Sequence, residues 1–74
     1  MMYFNCTVKQ VGSGGATLNW EYDFMFYSDG LVVYDRTCRG EKYSGRFNAL
    51  SPGDHANTVA YKAFVVILKL YGLI

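Results

Sequence analysis

The chain has little of what most small proteins use for chemistry or cross-linking. Its 74 residues hold two cysteines, one histidine and one proline. Two thiols are far too few for a disulfide scaffold. With a single histidine they also match no metal-ligand spacing, so no metal site and no cofactor is expected. Charge is sparse as well. The net charge of +1 excludes a strongly acidic nucleic-acid mimic and a strongly basic DNA-coating protein. No basic stretch followed by an apolar one opens the chain, so no secretory signal is read there. The longest apolar run, residues 63–74, is interrupted by Lys69 and is too short to span a bilayer. The expectation is a soluble cytoplasmic protein without a membrane partner.

What the chain has is apolar and aromatic. Hydrophobic residues make up 51% and aromatic residues 18%, with seven tyrosines, enough to argue against disorder. A chain this short makes one domain, near the lower size limit for a core that needs no staple. The clearest pattern is Leu18-Asn19-Trp20-Glu21-Tyr22-Asp23-Phe24-Met25-Phe26, with large apolar side chains at every even position. Successive strand residues point to opposite faces, so this is a strand with one buried and one wet side.

The same reasoning places strands at 2–11, 17–27, 31–39 and 43–47. Gly12-Ser13-Gly14-Gly15, Ser28-Asp29-Gly30 and Arg39-Gly40-Glu41-Lys42 read as turns between them. In the third strand two registers compete for the inward face, Leu31/Val33 against Val32/Tyr34/Cys38. Gly45 inside the fourth marks a bulge or an edge. Ser51-Pro52-Gly53-Asp54 then carries the signature of a helix start, and the apolar spacing beyond it predicts a helix over 52–71. In that helix Val59, Ala63, Val66, Ile67 and Leu70 share the inward face with Ala56, Ala60, Phe64 and Tyr71, and Leu68 lies outside it. The β-branched run at 65–67 would also suit a fifth strand, but the cap signal and the Lys62/Lys69 spacing favour a helix. The expected fold is α+β: an antiparallel meander of three to four strands packed on one C-terminal helix. In such a meander Cys6 and Cys38 lie on non-adjacent strands, about 9–10 Å apart, too far for a disulfide.

Catalytic signals are weak. His55 sits beside Asp54, with no thiol placed near it. The glycine-rich loop precedes a strand and lacks the Lys-Ser/Thr of a phosphate-binding loop. Two charged groups remain as candidate partner-binding surfaces. Arg36, Arg39, Lys42 and Arg46 fall within eleven residues and are interleaved with Tyr43, supplying cations and a stacking ring. Glu21, Asp23 and Asp35 form an acidic patch on the outer face of the central strands. The helix is apolar over more than half its circumference, which a single sheet does not cover.

In size, aromatic content and lack of catalytic motifs, the chain resembles the small stand-alone proteins with which phages and other mobile elements block host enzymes, anti-CRISPR proteins among them. That resemblance implies a non-enzymatic protein-binding module, an inhibitor acting by surface complementarity. Two other readings stay open: a nucleic-acid or nucleotide binder using the 36–46 hairpin, and a homo-oligomer assembled through the C-terminal helix.

Overall fold

A computed structural model describes all residues from Met1 to Ile74. Four strands, β1 (Met2–Val11), β2 (Thr17–Phe26), β3 (Leu31–Cys38) and β4 (Glu41–Asn48), form one antiparallel sheet in the order β1-β2-β3-β4. One helix, α1 (Val59–Leu70), follows. This is the α+β meander expected from the alternation, with a fourth strand slightly longer than its apolar residues alone suggest.

Register assigns every side chain to a face. The helix-covered face carries the rows Met2–Phe26–Val32–Phe47, Phe4–Phe24–Tyr34–Gly45 and Cys6–Tyr22–Arg36–Tyr43. The competition within β3 is therefore settled for Val32, Tyr34 and Cys38. The core is built on rings. Phe64 of α1 is fully buried and lies 5.2–6.1 Å from the centroids of Phe4, Phe24, Phe26 and Phe47. Several of these contacts are edge-to-face, the arrangement favoured by the aromatic quadrupole. Both cysteines lie on the covered face as free thiols.

Gly45 sits at an edge strand, as expected, but the reason is a close approach. A Cβ there would stand 2.5 Å from the Tyr34 hydroxyl oxygen, because the Tyr34 ring lies across the position. The β3–β4 turn places Arg39 at φ 51° and Gly40 at φ 81°. Two successive left-handed residues give the twist that a two-residue hairpin needs.

The predicted helix 52–71 requires correction, because its first third is not α-helical. Asn48 Oδ1 accepts from the backbone N–H groups of Leu50 and Ser51 and turns the chain off β4. Gly53 is left-handed, at φ 58°, and residues Gly53–Asn57 form only a 3₁₀ turn. The operative cap is Thr58, whose Oγ1 accepts from Tyr61 N–H at 3.2 Å. The inward face agrees in part: Ala60, Phe64 and Ile67 are buried as expected, whereas Leu68 is buried too and Val59, Val66, Leu70 and Tyr71 are exposed.

A 12-residue helix is about 18 Å long, against about 33 Å for a ten-residue strand. The helix therefore leaves one end of its own side of the sheet uncovered. The β1–β2 hairpin also projects beyond β3, since residues 17–20 of β2 pair only with β1. The molecule is accordingly elongated, 40 Å in its longest dimension.

Candidate functional site

No helix lies on the outer face of the sheet, where four strands present alternate side chains. Its rows are Tyr3–Met25–Val33–Arg46, Asn5–Asp23–Asp35–Ser44 and Thr7–Glu21–Thr37–Lys42. The three acids proposed from sequence are thus brought together: Asp23 and Asp35 stand directly opposite one another, with Glu21 beside Asp23. Side chains in such a pair are about 5 Å apart, and like charges there oppose strand pairing.

Neighbouring donors hold both carboxylates. Asp23 Oδ1 accepts from the Tyr3 hydroxyl at 2.6 Å and from Asn5 Nδ2 at 2.7 Å. Asp35 Oδ1 accepts from Ser44 Oγ at 2.5 Å. The Tyr3 hydrogen bond, then that of Asn5, and to a lesser degree the charge of Lys42, hold the Asp23 carboxyl below its ordinary value. In the same pair the carboxylate pushes the Tyr3 hydroxyl up. Asp23 thus stays ionised further into acid than a free aspartate. One oxygen of each acid is engaged within the sheet.

The basic residues read as one hairpin surface are divided between the two faces. Lys42 and Arg46 stand on the open face, on the edge strand β4, at the border of the acidic row. Arg36 points the other way, onto the helix side, where it shares a pocket with Thr58, Val59 and Ala60 at the start of α1. Its guanidinium carbon lies 4.7 Å from the Trp20 ring centroid and 5.3 Å from that of Tyr43, and the two rings are 6.0 Å apart. A guanidinium at these distances is attracted to both π faces. The indole Nε1 is buried with no hydrogen-bond partner, so the ring is placed by stacking. Tyr43 donates to Glu41 Oε2 at 2.9 Å, and that carboxylate pushes its hydroxyl up. Burial raises the Tyr22 hydroxyl, an effect partly offset by Arg36. Arg39 occupies the β3–β4 turn, exposed and between the faces.

This division follows from period 2. Residues 36 and 42 pair across β3 and β4 with partners of opposite orientation, so closeness in sequence did not put them on one surface. The residues that fix the acids, Tyr3, Asn5 and Ser44, were not singled out from sequence. They could have been, since the hairpin closing over Gly12–Ala16 sets Asn5 opposite Asp23.

No group of three or more His, Cys, Asp or Glu side chains is arranged to hold a metal ion. No helix is long and apolar enough to cross a membrane. Comparison with protein families, with curated proteins and with solved structures gives no match.

Proposed function

We propose that the protein is a non-enzymatic protein-binding module whose contact surface is the open face of the sheet. The observation that carries this reading is the ordered Asp23/Asp35 pair. Two like charges placed opposite each other cost stability, and three polar neighbours hold them in place on a solvent-facing surface. Carboxylates oriented in advance suit a basic side chain of a partner, above all a bidentate arginine. Tyr3, Met25 and Val33 lie one row away and supply the apolar and aromatic contact area that a protein interface uses at its centre. Lys42 and Arg46 at the border add a second sign of charge, which sets orientation.

An inhibitor of a host enzyme or complex, of the phage or anti-CRISPR kind, is the form of this function that the chain's size and style suggest, acting in the cytoplasm. A nucleic-acid or nucleotide role through Arg36, Arg39, Lys42, Tyr43 and Arg46 is less well supported. The cations do not share a surface, and the Trp20 and Tyr43 rings are engaged with Arg36 rather than offered to a base.

Affinity capture from a host lysate, quantified by mass spectrometry, tests the reading. A protein retained by the wild type should be lost with the Asp23→Asn/Asp35→Asn double variant and kept by a variant altered on the helix. Equal capture by wild type and double variant contradicts it. A capture that collapses steeply with salt and contains nucleic acid favours the second reading.

A further inference from the structure

The other unpaired surface of the molecule is the β1 edge. Natural edge strands are blunted by charge, proline, bulges or shortness. The opposite edge, β4, carries Glu41, Lys42 and Arg46. β1 has none of these devices beyond Lys9: it is ten residues long, without proline, and pairs with β2 without a bulge.

Which backbone groups are free follows from the hairpin. Gly12 N–H donates to Ala16 C=O, and Tyr27 N–H donates to Leu31 C=O. Because bonded and non-bonded pairs alternate in an antiparallel ladder, the even residues of β1 point their backbone groups at β2. The odd ones, Tyr3, Asn5, Thr7 and Lys9, point theirs off the sheet.

Directly above this edge lies an apolar groove of about 510 Å³ between β1 and α1, lined by Cys6, Val8, Val59, Ala63, Val66 and Leu70. The helix lies closer to β1 than to any other strand. Its stripe Val59, Val66 and Leu70 is half or more exposed, and Tyr71, packed on Phe4, continues it. These four residues expose on the order of 500 Å² of largely apolar surface, near the upper end for the largest patch on a monomer. With the backbone edge beneath, the surface approaches the ~800 Å² that a standard interface takes from each partner.

We infer that this surface pairs with a second copy of the chain, β1 against β1 about a two-fold axis, giving a continuous eight-stranded sheet with the two α1 helices side by side on one face. The strand itself selects the register. Faces match only when odd residues meet odd and even meet even. Of the registers that overlap nearly all of β1, the one centred on Cys6 gives the longest apolar match, with Cys6 opposite Cys6 and Phe4 opposite Val8. Centring on Thr7 instead sets Phe4 opposite Gln10. In the Cys6 register Asn5 meets Thr7 and Tyr3 meets Lys9, so no like charges face each other within the new pair. The helices run antiparallel across the axis and close the groove from both sides. Lys62, at the groove rim, extends its ammonium group to water while its stem covers apolar surface. This inference does not depend on the reading of the open face.

Sedimentation of the full chain tests it, since a dimer has twice the 8.4 kDa of the chain. At roughly 100 µM, above the micromolar constants of weak interfaces of this size, the dimer is expected to dominate. Two substitutions remove it without touching the monomer core. Thr7→Pro deletes an outward-facing N–H at an edge position where proline is tolerated. Val66→Glu charges an exposed helix position. Each should weaken dimerisation about tenfold or more, as substitutions central to an interface do, with the far-ultraviolet circular dichroism unchanged. In the Cys6 register the two Cα atoms stand about 4.5 Å apart, within disulfide reach. Diamide should therefore cross-link the wild type and Cys38→Ser, but not Cys6→Ser. A monomer at this concentration overturns the proposal, as does a dimer indifferent to both Thr7→Pro and Val66→Glu. A monomeric protein whose groove takes up an apolar dye would assign the groove to a different occupant and overturns it equally.

Discussion

Asp23 shows how one side chain ties sequence pattern to surface chemistry. Its place in the alternation of β2 keeps it off the core, and the hairpin register sets it beside Tyr3 and Asn5, whose hydrogen bonds stabilise its charged form. The folded carboxyl titrates below the ordinary value of 3.8. The stability contributed by this network is therefore fully present above about that pH and is lost as the pH falls through the lower folded value. Tyr3→Phe removes the largest of the causes. Carboxyl chemical shifts followed through an acid titration should show Asp23 moving up toward 3.8, with the acid-induced loss of stability reduced. Gly45 is the second residue whose type has a specific cause. Gly45→Ala should cost about 1–3 kcal/mol in urea unfolding, the range for forcing extra atoms into an occupied space, because the Tyr34 ring lies where the methyl group would go. The acids were legible from sequence because they break a clean apolar alternation. Their donors were harder to read, because they lie on the neighbouring strands β1 and β4 and come into view only once the hairpin registers are set.

The elements were legible to different degrees for related reasons. Period 2 is short and strict, so β1 to β4 could be placed within a few residues. The helix start could not, since two cap signals compete between residues 51 and 58. Ser51-Pro52 matches a helix opening in composition, yet Asn48 captures the following backbone N–H groups and Gly53 takes a left-handed conformation. The extended Thr58, bonded to Tyr61 N–H, wins. Thr58→Ala should lower stability by about 1 kcal/mol, which in a domain of this size is a fall of roughly 4–8 °C in Tm. Ser51→Ala should leave Tm nearly unchanged, and calorimetry of the two variants separates the caps. The later start also rotates the meaning of the helix. Its inward face keeps the expected Ala60, Phe64 and Ile67 but turns toward Leu68, so that part of the expected stripe, Val59, Val66 and Leu70, is left over for the β1 groove.

At the scale of the molecule, the even positions of β2 divide two jobs. One side of the sheet is committed to a core in which Phe64 joins rings from β1, β2 and β4. A domain of this length is expected to be stable by roughly 4–11 kcal/mol, and truncating a buried phenylalanine costs about 3–5. Phe64→Ala should therefore leave much of the chain unfolded at room temperature, seen as loss of near-ultraviolet circular dichroism, whereas Phe64→Leu should stay folded with a lower denaturation midpoint. The other side is free to be polar, and there the proposed function assigns the charges to recognition rather than packing. The most direct measurement of that claim is an NMR titration of the labelled protein with a short arginine-rich peptide. Amide shifts are expected to concentrate on Asn5, Asp23, Asp35 and Ser44 and to vanish in Asp23→Asn/Asp35→Asn. Shifts that cluster instead around Trp20, Arg36 and Tyr43, or that survive the double substitution, would contradict it.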